Sequence, residues 1–205
     1  MLFRSNRFTL RALLQAAGCE VQDLGIVPDR LDATRDALRR AARASDLILT
    51  SGGVSVGEED HLKPAVQAEG ELQMWQIAIK PGKPLAFGRV GDALFMGLPG
   101  NPVSSFVTFL LAVVPVLRVL QGMPATTPMA LQLRADFDWP RPDRRREFLR
   151  ARLNTGGGLD LFPNQSSGVL TSTVWADGLV DNPAGQAIAR GDAVRFLPLD
   201  SLVWR

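Results

Sequence analysis

The chain has 205 residues, 46% of them apolar and 21% charged, and 23 Lys+Arg against 21 Asp+Glu leave a formal net charge of +2. That is the make-up of an ordinary globular protein of one or two domains, with a basic lean too slight for nucleic acid but suited to a small anion. A single cysteine, Cys19, and a single histidine, His61, exclude a disulfide framework, a cysteine-based zinc cluster and a metal site of three histidines.

The opening "MLFRSNRF" has no apolar stretch after its basic residues, so it is not a secretory signal, and the cytoplasm is the expected compartment. "RFTLRALLQAAG" places Phe8, Leu10, Leu13, Leu14 and Ala17 near one another on a helix, with Gly18 as the stop. "CEVQDLGIV" reads as a strand and "DATRDALRRAARAS" as an amphipathic helix. "DLILT" has the continuous apolar character of a strand inside a parallel sheet. A helix over about Leu62 to Glu69 follows, then a strand "LQMWQIAI" and a hairpin-like pair, "LAFGRV" and "ALFMGL". The apolar run from Val103 to Leu120 is interrupted by Ser104, Ser105, Thr108, Pro115 and Arg118, which predicts a buried core helix rather than a membrane span.

Strands separated by helices predict an α/β fold with a doubly wound, mostly parallel sheet and ligands at the carboxyl ends of its strands. The unit opens on a helix with no strand ahead of it. Such a sheet normally starts with a strand, so either the fold starts unusually or the chain lacks its natural beginning. "GMPATTPM" reads as a linker, which divides an α/β domain (1–124) from a small all-β, barrel- or sandwich-like domain (125–205). In the latter, "ALQLRADF", "REFLRARL", "LDLFP", "VLTSTVW" and "DAVRFLPL" are the expected strands, and "NTGGG", "ADGL" and "RGDA" the turns.

Three stretches have the make-up of an oxyanion site. In "TSGGVSVGEED", Gly52, Gly53 and Gly57 allow positive φ, so that backbone N–H groups can converge on an anion beside the hydroxyls of Ser51 and Ser55. Glu58, Glu59 and Asp60 come next, either to share a divalent cation with a phosphate or simply to start a helix. In "IKPGKPLAFG", Lys80 and Lys83 flank Pro81-Gly82 in a turn that could neutralise an oxyanion or be an ordinary solvated hairpin. In "MGLPGNPVSSF", Gly100 allows close approach, Asn101 suits an N-cap and Pro102 the first helical position. Ser104 and Ser105 then line the first turn of a helix aimed at this loop, an oxyanion site or a well-capped core helix. Asp29 sits where the carboxyl end of a parallel strand is expected, and "RPDRRREF" is a basic cluster entering a β-domain strand.

The motifs "SGGVSVGEED", "KPGKP" and "GLPGNPVSS", in this order, resemble the molybdopterin molybdenumtransferase family of the MoeA and gephyrin E-domain type. The resemblance implies insertion of molybdate into adenylated molybdopterin with release of AMP, assisted by Mg2+. It implies that Asp60 is the essential acid and metal ligand, with Glu58 as a further acidic position, and that Asp29 and Lys80 also serve the reaction. Ser51, Gly52, Gly53, Ser55 and Gly57 would hold the pterin phosphate region. Lys83, Pro84 and Ser104 match residues lining the molybdate pocket, Pro99 and Pro102 match further positions in the site region, Gly100 and Asn101 between them would bind the cofactor, and Arg145 and Ser167 match the β-domain side of the site. The family also implies a homodimer, with a molybdopterin adenylyltransferase and molybdoenzymes as further partners, and neither nucleic acid nor membrane. Its Asn-Ser-Ala-Met-Asp-Gly-Tyr-like motif and Thr-Gly-Asp-Glu-like strand are not found here, in keeping with a chain that lacks its natural beginning. A non-catalytic binding or scaffold module is the alternative.

Overall fold

The computed structural model describes residues 5–54, 61–124 and 127–203. In chain order the first elements are α1 (Ser5–Ala16), α2 (Leu31–Ala42), β1 (Leu47–Ser51), α3 (Leu62–Glu69), β2 (Gly70–Gln76), β3 (Ile79–Lys80), β4 (Pro84–Val90), β5 (Ala93–Leu98) and α4 (Pro102–Thr108). After α4 come α5 (Val114–Leu120), β6 (Leu131–Arg134), β7 (Arg146–Leu153), β8 (Leu159–Leu161), α6 (Thr171–Trp175), β9 (Gly178–Asn182), β10 (Ala193–Pro198) and α7 (Leu199–Val203). Two compact units result: Met1–Ile77 with Gly82–Phe109, and Ala78–Pro81 with Leu110–Arg205.

The first unit is an α/β layer. Its sheet runs β1-β5-β4-β2, with β1 parallel to β5 and the other two pairings antiparallel. The α/β class holds, but among the described residues the sheet is mixed rather than mostly parallel. The reason is local: only Gly91 and Asp92 separate β4 from β5, and a two-residue connection can join only antiparallel neighbours. α2 buries Ala37, Leu38 and Ala41, and Leu38 and Ala41 join Ile48, Val66, Val90 and Phe95 in one core. Its charged residues stay outside, Asp32 in the first turn and Arg39 and Arg40 in the last, as the helix dipole favours.

The strand expected over "CEVQDLGIV" does not form: residues 19–27 carry no strand pairing. An extended segment becomes a strand only when a neighbour takes its N–H and C=O groups, and among the described residues none does.

The apolar run is helical throughout Pro102–Leu120, long and apolar enough by length and composition to cross a membrane. Val103, Val107, Phe109 and Val113 are nonetheless completely enclosed by protein, as in a core helix. Between α4 and α5, Phe109–Val113 widens to a π-turn. Pro115 accounts for this, because it offers no N–H to the carbonyl four residues back and its ring crowds that carbonyl.

The second unit is built on a sheet ordered β3-β7-β9-β10-β6, with β8 pairing β7. All pairings are antiparallel except β3 on β7, where Ile79 faces Arg146 and Lys80 faces Glu147. Leu149, Val180, Leu159 and Phe196 centre its core. Two expectations fail here. "VLTSTVW" contains the short helix α6, because Ser172 and Thr173 donate their hydroxyls back to the Val169 and Leu170 carbonyls. "ADGL", read as a turn, leads instead into β9, all five residues of which are buried between β7 and β10.

Candidate functional site

Sheet register brings three candidate loops to one end of the first unit. Ser51, the last residue of β1, stands opposite Leu98, the last of β5, and the Gly52 N–H donates to the Leu98 carbonyl at 3.0 Å. β4 runs against β5 with Ala86 opposite Gly97, so Lys83 and Pro84, where β4 begins, lie at the end where β5 finishes. Pro99, Gly100 and Asn101 continue from β5 into α4 at that same end. α2 packs on β1 and returns to it through a short connection, which puts the exposed Asp29, just ahead of α2, toward this end as well.

The backbone around β1 is shaped by glycine. Gly52 and Gly53 adopt φ of +84° and +72°, and a Cβ on Gly52 would sit 4.0 Å from the Gly100 Cα. The first loop therefore turns sharply beside the second without a side chain between them. Val54 then turns inward to the core. Ser55, Gly57, Glu58 and Asp60, the remaining candidates of this loop, lie outside the described residues.

The entrance to α4 is chemically open. Pro102 takes the first helical position, as the sequence predicts, and the Asn101 carbonyl accepts the Ser105 N–H at 2.8 Å. The Asn101 side chain is exposed and makes no capping bond, so the first-turn amides keep their capacity for an anion. Ser104 and Ser105 are both buried. Among the described residues the Ser105 Oγ, at 2% residue exposure, and the Thr50 Oγ1 have no hydrogen-bond partner. Buried hydroxyls left unpaired are uncommon and costly, and two at one sheet end mark a place built for something polar.

Lys80, Arg145 and Ser167 belong to the second unit. Lys80 Nζ lies 3.2 Å from Glu147 Oε1 and 3.4 Å from Asp143 Oδ2. Glu147 is fully buried, and its other oxygen accepts the Trp139 Nε1–H at 2.8 Å and the Asp143 N–H at 3.1 Å. Arg145 grips Asp143 through two bonds of 2.9 Å, and that guanidinium, more than any other neighbour, holds the Asp143 carboxyl far below the usual carboxylate range. Both candidate cations are thus already paired within their own unit. Ser167 is half-buried, in the turn that leads toward α6.

Sequence reasoning missed two residues. Asn6 is 2% exposed, and its Nδ2 donates to the Ser51 Oγ at 2.9 Å and the Gly100 carbonyl at 2.7 Å, joining two of the candidate loops. Arg150 is 1% exposed, yet every acceptor it reaches among the described residues is neutral: the Ser172 Oγ and the Ser166 and Phe148 carbonyls, at 3.2–3.4 Å. Burial pulls its guanidinium down to about 10. The alternation of "REFLRARL" carried no usable signal, since it sets Arg150 with Arg146 and Arg152 on the face opposite the core residues Leu149 and Ala151. Asn6, on a charged first turn, offered none. Among the described residues no group of three or more His, Cys, Asp or Glu side chains gathers as a metal site would require.

Comparison with known proteins places these features in context. Residues 4–119 match the family described as "Probable molybdopterin binding domain", and residues 132–199 match "MoeA C-terminal region (domain IV)". The molybdopterin molybdenumtransferase of Haemophilus influenzae is 50% identical over 121 residues, 59% of this chain and 30% of that protein. The molybdopterin molybdenumtransferase of Nostoc sp. is 31% identical over 205 residues, 95% of this chain and 47% of that protein. Among solved structures, a molybdenum cofactor biosynthesis protein from Pyrococcus furiosus superposes with a TM-score of 0.74 at 26% identity, covering 94% of this chain and 63% of that one. The chain spans half or less of the length of the curated relatives it matches.

Proposed function

Because the chain belongs to the molybdopterin-binding domain family, continued by a MoeA C-terminal region, we propose that it serves molybdenum cofactor biosynthesis by inserting molybdate into adenylated molybdopterin with release of AMP. The observation that supports this most directly is the entrance to α4, where amides left uncapped by Asn101 follow Gly100 beside the glycine turn at Gly52, and where, among the described residues, the buried Ser105 hydroxyl has no partner. Tetrahedral molybdate and a phosphate present the same recognition problem, oxygens bearing negative charge, and fixed N–H and O–H donors answer it without reorganising. In this reading Ser51, Gly52 and Gly53 receive the phosphate region, while Ser104, Ser105 and the first-turn amides receive molybdate, with Lys83 supplying a positive charge at the loop edge.

Mg2+, where bound, would polarise the pyrophosphate so that AMP departs as a stabilised anion. Asp60 and Glu58 carry the hard carboxylate oxygens such an ion prefers. Asp29, exposed toward the same sheet end, is the further acid in this reading, and Lys80 is its further cation.

The test is molybdate- and Mg2+-dependent AMP release by the purified chain and by Asp60→Ala. At least a hundredfold loss in the variant, with circular dichroism unchanged, is expected, because an essential metal-holding acid is worth more than one hydrogen bond. Equal release by both proteins removes Asp60 from the chemistry. Release by neither, with ligand still bound, turns the reading to a non-catalytic molybdopterin-binding module.

A further inference from the structure

We infer that Asn6 is a positioning residue for the oxyanion site: it sets the hydrogen-bond polarity of the Ser51 hydroxyl and the orientation of the Gly100–Asn101 peptide. The inference rests on the functional reading above, and deepens it by naming what holds two of its loops in a donor-presenting state.

The argument starts from the amide itself. Asn6 lies in the first turn of α1 and is almost completely enclosed. Its Nδ2 has two protons, and two acceptors stand within reach, the Ser51 Oγ at 2.9 Å and the Gly100 carbonyl at 2.7 Å. An amide nitrogen is a donor only. Ser51 must therefore accept from Asn6, and its own hydroxyl proton is left to point elsewhere. Ser51 is the exposed last residue of β1 at the turn into Gly52, so that proton faces the side from which a ligand arrives.

The second bond acts on the backbone. A trans peptide carries its C=O and N–H on opposite sides. With the Gly100 carbonyl held toward Asn6, the Asn101 N–H is turned away from Asn6, at the uncapped entrance to α4. One buried side chain thus presents a hydroxyl proton and a backbone proton together, both suited to an anion. A carboxylate in the same place would do the reverse: it would draw the Ser51 proton to itself and repel the Gly100 carbonyl.

That asymmetry makes the experiment. AMP is titrated calorimetrically into the full chain, Asn6→Asp, Ser51→Ala and the double variant, with thermal melts run alongside. Asn6→Asp keeps the side-chain shape and inverts its polarity, and is expected to weaken AMP binding roughly ten- to hundredfold. Ser51→Ala leaves the bond to Gly100 in place and is expected to weaken it about tenfold. The double variant should be no weaker than Asn6→Asp alone, since the proton lost with Ser51 has already been withdrawn by the carboxylate. Wild-type affinity in a folded Asn6→Asp protein overturns the proposal, as do losses that multiply in the double variant.

Should Asn6→Asp fail to fold, Ser51→Ala with wild-type affinity overturns it. Should the wild-type chain bind no AMP, the functional reading falls and the side-chain amide protons of Asn6 decide the clamp by NMR. Slow exchange in the wild type, faster in Ser51→Ala, upholds it; fast exchange in the wild type overturns it.

Discussion

A buried hydroxyl without a partner is a cost that an alanine removes, and Ser105 is the clearest case in this chain. Ser105→Ala is expected to raise the unfolding free energy in urea by about 1 kcal/mol while weakening molybdate binding, the exchange of stability for function that binding sites commonly make. Loss of stability in the variant would mean that the hydroxyl has a partner in solution. Arg150 calls for a different pair of substitutions. Arg150→Met keeps most of the volume and relieves the burial of a charge but gives up the bonds to Ser172, Phe148 and Ser166, so a net loss of no more than about 1–2 kcal/mol is expected. Arg150→Ala adds a cavity beneath the turn that carries Ser166, and roughly 3–5 kcal/mol is expected from the same denaturation experiment. At this scale the sequence was legible where residue type and φ coincide, as at Gly52, Gly53 and Pro102. It was not legible at Asn6 or Arg150, whose partners lie 45 and 94 residues away for Asn6 and up to 22 away for Arg150.

Between elements, Glu69 joins the end of α3 to the outer face of α2. Arg35 reaches it at 2.6 Å, and Arg39 reaches it through two bonds of 2.7 and 2.8 Å. Arg39 foremost, then Arg35, lowers its carboxyl from the ordinary 4.5 to about 2. Because the folded-state value is the lower one, the stability it contributes is full above about pH 4.5 and is lost as pH falls through about 2. Glu69→Gln should therefore lower the melting temperature at pH 7, and the gap from wild type should close between those two values. A gap that persists at pH 2 would assign the effect to packing. Element type was readable wherever the pattern was local: both amphipathic helices, the tight β4–β5 hairpin and the Pro-started core helix. It was misread at residues 19–27 and at α6. There, pairing and hydroxyl back-bonding, neither of them a property of single residues, outweighed propensity.

Across the whole molecule, the chain passes between its two compact units at Ile77, at Pro81 and again at Phe109, so β3 joins the second unit's sheet while its flanks belong to the first. Lys80 secures that segment through the buried Glu147. Lys80→Met leaves this carboxylate with the Trp139 and Asp143 N–H groups but no cation from Lys80. The pair is partly open to solvent, so a destabilisation of about 1–2 kcal/mol is expected, seen as faster amide exchange at Arg146–Phe148. Unchanged exchange there would make Lys80 a surface cation free for ligand.

From the sequence by itself came the α/β class, the mainly β character of the second region, the three oxyanion-friendly loops and the family they resemble. Each of these rests on residue types at short spacing, where chirality, hydrogen-bond capacity and hydrophobic period act within a few residues. Tertiary structure alone decided that β1 and β5 end side by side, that Lys80 is already paired, and that Asn6 ties two loops together. These are outcomes of long-range register and burial. Which donor meets which acceptor across 45 or 94 residues depends on how the whole sheet closes, not on any one stretch of chain.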